Sequence, residues 1–337
     1  MSCNKRITLV LAAAAWLWTA ASWATSTVEI AIQCPVCGNT FTAHVVASTN
    51  NFRGQDRDFY ERAAGFPPVL MHPITCTSCW YSGYHRDFDS TVHFDDATRQ
   101  LLRDSLARPA DYTIHEGRAM VPAWSKYELI IQTSRLLGKS WQRIQFAAMR
   151  AAWSVREIQD PVSPLGDDYW LCAANYADSM IKVIDLPSGT RACREVALAR
   201  RLAPELRQLD DSVRLCATLG VVQLFRSHGE NGEALETAEQ VEGLIALDQF
   251  LTFYDSLLAS VERERHYQKI ALQILEEACA EWPDDMTPAD NLYLCGEICR
   301  RLGRYADAAR YFERAQSGMA LSEGLSHWIR EQRALVD

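Results

Sequence analysis

The stretch "NLYLCGEICRRLGRYADAARYFERAQ" at residues 291–316 places small and aromatic side chains at helical spacing on both sides of Gly303. Gly296 lies before this break, and Ala308 and Phe312 follow it, so small or apolar residues recur every three or four positions. A glycine after such a run ends a helix, because it adopts a left-handed backbone without steric cost. The stretch therefore predicts two antiparallel helices that approach closely at Gly296 and Ala308.

This spacing is that of a tetratricopeptide repeat, in which stacked helical hairpins share one core. Tyr305, Phe312 and Ala315 are predicted to fill the seam with the next helix. The hairpin at residues 124–157 carries a weaker form of the same pattern, in "RLLGKSWQRIQFAAMRAA". We therefore predict a mainly α fold, a tetratricopeptide-like helical repeat (an α-solenoid), for residues 96–337.

Helical periodicity begins near Asp95, where "DDATRQLLRDSLARP" opens on an Asp cap and stops at Pro109. It continues to the end of the chain, with breaks where Gly and Pro occur. The later part of the pattern predicts helices at residues 168–184, 190–203, 211–227, 233–262, 264–281, 288–302, 304–317 and 321–334.

Two paired-cysteine turns lie near the start of the chain, in "CPVCGNTF" at residues 34–41 and "CTSCWYSG" at residues 76–83. Each C-x-x-C turn points two sulfurs to one side, and two such turns build the tetrahedral four-sulfur site that Zn²⁺ accepts. The flanking stretches "VEIAIQC" and "TFTAHVVAS" alternate and predict strands. We predict a zinc-ribbon-like β domain over residues 25–95, with one structural Zn²⁺ held by Cys34, Cys37, Cys76 and Cys79.

Two other interpretations of these cysteines stay open. An oxidising compartment would favour two disulfides. A redox C-x-x-C pair is disfavoured, because such motifs normally start a helix within a βαβ unit, and the sequence predicts this for neither pair. Zinc is the favoured interpretation because of the paired spacing. A four-cysteine site has no open coordination position, so it would hold the fold and not activate water.

A catalytic alternative rests on polar residues of the N-terminal third, where His72 and His85 bracket the second turn and the loop "GQDRDF" adds Asp56 and Asp58. A histidine and two carboxylates near an ion would suit metal-assisted hydrolysis. The favoured interpretation is that these are exposed polar residues of a loop and a strand edge, because no known motif joins them. His228 is likewise interpreted as part of an interhelical turn. No catalytic residue is assigned. Five of the eight histidines lie in this third: His44, His72, His85, His93 and His115.

The first 24 residues resemble a secretory signal, with Lys5 and Arg6 before an apolar stretch and small residues at Ser22 and Ala24. Cleavage after Ala24 would leave an exported protein, periplasmic or secreted. The alternative is an uncleaved membrane anchor. Six further cysteines are predicted to be small buried residues in helix interfaces: Cys172, Cys193, Cys216, Cys279, Cys295 and Cys299.

The net charge is −9, and the sequence has no lysine- or arginine-rich run. Nucleic-acid binding requires a basic footprint, so this class of partner is disfavoured. No second apolar run has the length of a membrane span after residue 24. A protein or peptide partner fits an extended helical repeat surface better.

The motifs "CPVCGNTF", "DRDF" and "CTSCWYSGYHRDF", with Pro67-Pro68 and His72 between them, resemble the bacterial domain of unknown function 2225 (DUF2225) family over residues 28–320. The resemblance implies a zinc-ribbon-like head on an α-helical repeat body and no particular activity. It also implies that the four paired cysteines belong to the head. This chain differs in having Trp80 where a glycine is usual. The sequence thus favours a non-enzymatic exported binding or scaffold protein, with an N-terminal metal-dependent hydrolase or thiol-redox enzyme as the alternative.

Overall fold

A computed structural model describes residues 25–115, 118–158, 162–183, 191–282 and 286–336. The predicted signal peptide at residues 1–24 lies outside the described residues. None of the helices in the described part of the chain is long and apolar enough to cross a membrane.

The chain divides into two compact units. The first unit contains the described residues up to Gln55 together with Glu61–Leu129, and the second contains Asp56–Tyr60 together with the described residues from Ile130 onward. The short segment Asp56–Tyr60 therefore belongs to the helical unit although the residues on both sides of it do not. The sequence predicts a boundary at residue 95 between two domains that fold independently. This boundary stays a prediction.

The first unit is built from short antiparallel strand pairs and one helix. Strand β1 pairs with β2, β3 with β4, and β5 with β6. Ile32 of β1 lies opposite Phe41 of β2, so the two strands predicted beside the first cysteine turn are confirmed, and they pair with each other. The elements in order are β1 (Ser26–Gln33), β2 (Thr40–Ser48), β3 (Ile74–Thr75), β4 (Ser82–Gly83), α1 (Asp96–Ser105), β5 (Thr113–His115), β6 (Arg118–Met120) and the beginning of α2 (Ala123–Leu136).

Helix α1 begins after the predicted Asp cap. The Asp95 side chain accepts a hydrogen bond from the backbone N–H of Thr98 at 2.7 Å, which satisfies a donor that the first turn leaves open. Leu102 on its inner face is fully buried. Arg103 Nη2 donates to the carbonyl oxygen of Val36 at 2.7 Å, so the helix is tied directly to the first cysteine turn.

The second unit is helical. Together with α1, its elements make eleven α-helices in the described residues, so the prediction of a mainly α fold is confirmed. After α2 the helices are α3 (Trp141–Ile158), α4 (Asp167–Val183), α5 (Arg191–Leu202), α6 (Asp211–Ser227), α7 (Asn231–Ala238), α8 (Leu247–Ala280), α9 (Ala289–Arg301), α10 (Tyr305–Ser317) and α11 (Glu323–Arg333).

Helices α9 and α10 form the close-packed hairpin that the sequence predicts. Ala308, Phe312 and Ala315 are fully buried. A Cβ atom added to Gly296 would lie 2.6 Å from the ring of Phe312, so only glycine fits at this contact. The prediction for Tyr305 is wrong, because this side chain is 54% exposed and does not fill a seam. The tetratricopeptide-like character of the wider helical unit stays a prediction.

The predicted pair of helices at residues 233–262 and 264–281 is wrong. Helix α7 ends at Ala238, Gly243 follows in a loop with φ +79°, and α8 then runs unbroken from Leu247 to Ala280. Glu and Arg favour helix, so the charged run around residue 263 does not interrupt α8. Glu264 within this run is fully buried and paired with arginines.

Replacing Gly296 by alanine tests the α9–α10 contact. We expect the free energy of unfolding to fall by about 1–3 kcal/mol, because the new methyl group overlaps the Phe312 ring. Gly324 in α11 is the matched control, since a Cβ there meets no atom within 4 Å. Gly324→Ala should leave stability unchanged or raise it by up to about 1 kcal/mol. Equal urea midpoints for the two variants would contradict the close approach.

Candidate functional site

The first cysteine turn is a tight loop after β1. The backbone N–H of Cys34 donates to the carbonyl oxygen of Asn39 at 2.9 Å, and that of Gly38 donates to the carbonyl oxygen of Cys34 at 2.9 Å. Gly38 has a φ of +76°, a conformation that L-residues with a side chain rarely adopt. Gly38 therefore has the backbone conformation that the turn requires.

The second turn repeats these hydrogen bonds. The N–H of Cys76 donates to the carbonyl oxygen of Tyr81 at 2.9 Å, and that of Trp80 donates to the carbonyl oxygen of Cys76 at 2.8 Å. Trp80 has a φ of +63° and thus takes the position that Gly38 has in the first turn. A left-handed backbone costs a residue with a Cβ about 1–2 kcal/mol. The indole ring partly offsets this cost, since it packs edge-on against Tyr112 at 5.4 Å between centroids.

The two turns bring four sulfur atoms together, all within 4.8 Å of one another. The Sγ atoms of Cys34 and Cys79 are 3.6 Å apart, as are those of Cys37 and Cys76. Sulfurs at 2.3 Å from one Zn²⁺ in a tetrahedron are separated by about 3.8 Å, whereas a disulfide bond is about 2.0 Å long. The two 3.6 Å separations are close to the edges of a metal tetrahedron, and the four cysteines could hold a metal ion.

The electrostatics of the cluster also fit a cation. Hydrogen bonds from the thiols of Cys34 and Cys79 lower the pKa of Cys76 to about 2. The hydrogen bond to Cys76 raises the pKa of Cys34 to about 12. The thiols thus shift one another's pKa values in opposite directions because they lie so close together. A divalent cation would stabilise all four as thiolates, because the ion supplies the compensating charge.

Among the described residues, the group of side chains placed to hold a metal ion contains the four cysteines and none of the residues of the hydrolytic alternative. His72 and His85 belong to the first unit, whereas Asp56 and Asp58 belong to the second. The interpretation of the two aspartates as exposed loop residues is wrong, because they are 3% and 0% exposed. They lie instead in a buried cluster of charged side chains within the helical unit.

Arg156 of α3 is the centre of this charge cluster. Its Nη2 donates to Asp58 Oδ2 at 2.5 Å, and its Nε donates to Glu264 Oε1 of α8 at 2.7 Å. Asp58 also accepts a hydrogen bond from the indole N–H of Trp153 at 3.0 Å, and Glu264 accepts one from Arg226 Nη1 at 2.5 Å. Burial raises the pKa of both acids, but the neighbouring arginines outweigh it, so both pKa values are lowered.

His228 is held between two carboxylates at the other side of the cluster. Its Nδ1 lies 2.9 Å from Asp56 Oδ1, and its Nε2 lies 2.8 Å from Glu195 Oε2. Each ring nitrogen thus lies within hydrogen-bond distance of a carboxylate oxygen of the cluster. Both nitrogens are engaged by carboxylates of the protein itself, which argues against a role as a general base. The sequence interpretation of His228 as an ordinary turn residue is therefore incomplete.

The turn after His228 is joined to the end of α9. Arg300 makes a two-point contact with Glu230, at 2.9 and 3.0 Å, and Arg301 Nη1 donates to the carbonyl oxygen of His228 at 2.6 Å. Burial raises the pKa of Glu230, but the charges of Arg300 and Arg301 outweigh it and lower the pKa to about 2. These contacts hold the turn against a helix about seventy positions later in the chain.

Two of the scattered cysteines are paired. Cys172 of α4 and Cys216 of α6 form a disulfide with their Cα atoms 5.4 Å apart, within the range for unstrained bridges. The prediction of a small apolar packing role is wrong for these two. It is confirmed for Cys279, Cys295 and Cys299, which are buried free thiols. The prediction for Cys193 concerns a side chain outside those described.

Comparison with known families supports the resemblance seen in the cysteine turns. A family model described as an uncharacterized protein conserved in bacteria (DUF2225) matches residues 28–218, more than half of the chain. Searches of curated proteins and of solved structures found no match. The matched range includes both cysteine turns and most of the α2–α6 region.

Arg156→Met tests the centre of the charge cluster. The change keeps side-chain volume but leaves the buried Asp58 and Glu264 with fewer partners, so the free energy of unfolding should fall by about 3–5 kcal/mol. Arg310 is the matched control, since its ion pair with Asp307 lies at the surface. Arg310→Met should cost less than about 1 kcal/mol. Chemical unfolding measures both, and a similarly small loss for Arg156→Met would show that the cluster contributes little.

Acid should destabilise the second unit. The pKa of Glu230 is about 2 in the folded chain against 4.5 as the ordinary value, so its stabilisation is complete above pH 4.5 and is lost as the pH falls through 2. The contribution is on the order of 3 kcal/mol. We expect urea midpoints measured from pH 6 to pH 2 to fall steeply below pH 4.5. The same series for Glu230→Gln should start lower and be flatter, and parallel curves would refute this assignment.

Proposed function

The chain belongs to the DUF2225 family of bacterial proteins, and on that premise we propose that it is a non-enzymatic binding protein. In this proposal structural zinc holds the first unit together, and the helical unit carries the binding surface. The observation that carries the proposal is the four-cysteine cluster, whose sulfurs all lie within 4.8 Å of one another.

The donor set favours Zn²⁺ because four thiolates at tetrahedral spacing are the ligands of structural zinc sites. Cys34, Cys37, Cys76 and Cys79 would fill every coordination position. A site of this kind stabilises a small fold and leaves no position for a substrate or a water molecule. The first unit has short strands and a single helix, so a metal would supply much of its stability.

A binding role for the helical unit is supported by its construction. Helices α9 and α10 pack face to face at Gly296, as paired helices of repeat proteins do. Stacked helical hairpins present extended surfaces that suit proteins and peptides. His228, the histidine in the charge cluster, has both nitrogens engaged with carboxylates, which favours binding over acid–base chemistry at that position.

We also propose that the protein is exported, to the periplasm or beyond. The disulfide between Cys172 and Cys216 supports this location, because such bonds persist mainly in oxidising compartments. Structural zinc coexists with an oxidising compartment when the metal protects the thiolates from reaction.

Metal content and thiol reactivity test the zinc proposal. The chain purified from its own compartment without added zinc should contain about one zinc per chain, with the four cluster thiols reacting only after chelation. A chain without zinc, whether its four cysteines form disulfides or react quickly with a thiol probe, would refute the structural zinc site. Fast-reacting thiols would put the redox enzyme in its place.

Cys76→Ser supplies the matching variant for this test. It should lose the zinc and unfold the first unit, while the far-ultraviolet helical signal of the second unit persists. Cys299→Ser is the control, since Cys299 is an equally buried thiol in α9 of the second unit. It should keep its zinc.

A further inference from the structure

The second unit contains a cavity of about 560 Å³, within the size range of small-ligand sites. It lies between the Asp56–Arg57 segment, helix α5, the turn at His228 and the end of α11. Its lining combines apolar side chains with charged ones from the cluster. No residue of the four-cysteine centre lines it.

One polar atom of this cavity is unsatisfied. Gln332 is 5% exposed and lines the cavity, and its Oε1 has no hydrogen-bond partner among the described residues. A buried acceptor without a donor destabilises the fold, and native proteins rarely keep one. A ligand that brings an N–H or O–H group into the cavity would satisfy it.

The charges around the cavity are already compensated. Arg57 pairs with Glu331, and Arg200 Nη2 contacts Glu230 at 3.2 Å and Glu233 at 2.9 Å. A phosphate ligand normally requires cations without carboxylate partners, and a cationic ligand requires unpaired carboxylates. The lining thus favours an uncharged ligand.

Apolar side chains form another part of the wall. Val196 and Ala197 of α5 face the cavity together with Ala334 and Leu335 after α11. None of these is aromatic, so the wall offers no flat surface for a sugar ring or a base to stack on. A purely hydrocarbon ligand would leave Gln332 unsatisfied. The lining fits a ligand that alternates polar amide groups with small apolar groups.

We propose that this cavity binds a short peptide segment with small aliphatic side chains, whose backbone N–H donates to Gln332 Oε1. The guanidinium of Arg200, which is a third exposed, is placed to donate to a peptide carbonyl oxygen. The aliphatic side chains pack against Val196 and Leu335. This inference rests on the proposed binding function and assigns it a site and a class of ligand.

The probe for the test is a pool of N-acetylated, C-amidated tripeptides of Ala, Val and Leu, titrated into the full chain by calorimetry. Wild type should bind, and Gln332→Leu should weaken binding at least tenfold. The same variant should raise the Tm of the ligand-free protein, because it removes an unsatisfied buried oxygen. A purely structural glutamine would not couple a higher Tm to a lower affinity.

Gln240→Leu is the matched control. Gln240 also has an Oε1 without a partner among the described residues, but it does not line this cavity. The control variant should leave peptide affinity unchanged. Backbone N-methylated tripeptides, which lack the donor, should bind wild type weakly. Gln332→Leu should not weaken their binding further.

Three results would overturn the assignment: no binding by wild type, equal affinity for wild type and Gln332→Leu, or tighter binding of N-acetylglucosamine or octanoate than of the tripeptides. Equal affinity of wild type and Gln332→Leu for the tripeptides would show that the protein binds peptide at a surface other than this cavity. The zinc proposal is tested separately, because all lining residues belong to the second unit and Gln332→Leu should keep its metal.

Discussion

The buried contacts of Arg156 organise the helical unit. The Arg156 side chain is fully buried. Its guanidinium binds Asp58 of the Asp56–Tyr60 segment and Glu264 in the middle of α8. These partners are 98 and 108 positions away in sequence. Transferring such charges from water is costly, and the cost is offset only when every charge has a partner in good geometry. The helices must therefore meet in one arrangement, and we infer that the cluster specifies the fold more than it adds stability.

The same cluster explains local features that otherwise look unrelated. Glu264 turns part of the charged run of α8 toward the core, because its carboxylate is paired with Arg156 and Arg226 inside the fold. Gly229 has no side chain because a Cβ there would collide with the guanidinium groups of Arg301 and Arg156. Gly229 has a φ of +71°, and in this turn the carbonyl oxygen of His228 faces Arg301 of α9. The cavity proposed to bind peptide shares Asp56, His228 and Arg301 with this cluster, so its walls are held by buried ion pairs.

The two units obtain their stability in different ways. The first has short strand pairs and one helix, and its most constrained feature is the pair of cysteine turns, one of which keeps Trp80 in a left-handed backbone. A cation among the four sulfurs would remove the repulsion that several thiolates would otherwise have. The second has a continuous apolar core along α8, with Phe253, Leu257 and Val261 fully buried, and a disulfide between α4 and α6.

The sequence by itself determined the mainly α fold, the two strands beside the first cysteine turn, the Asp95 cap, the close approach of two helices at Gly296 and the four cysteines that come together. Each is encoded by residues a few positions apart, in a period of 3.6 or 2 or in the C-x-x-C spacing. Only the tertiary structure decided that Asp56 and Asp58 are buried within the helical unit. It also decided that His228 lies between two carboxylates and that Cys172 pairs with Cys216. Charged residues in a sequence predict exposure, since burying an ion without a partner is prohibitive. The partners here lie up to 172 positions apart, and no local pattern records such a distance.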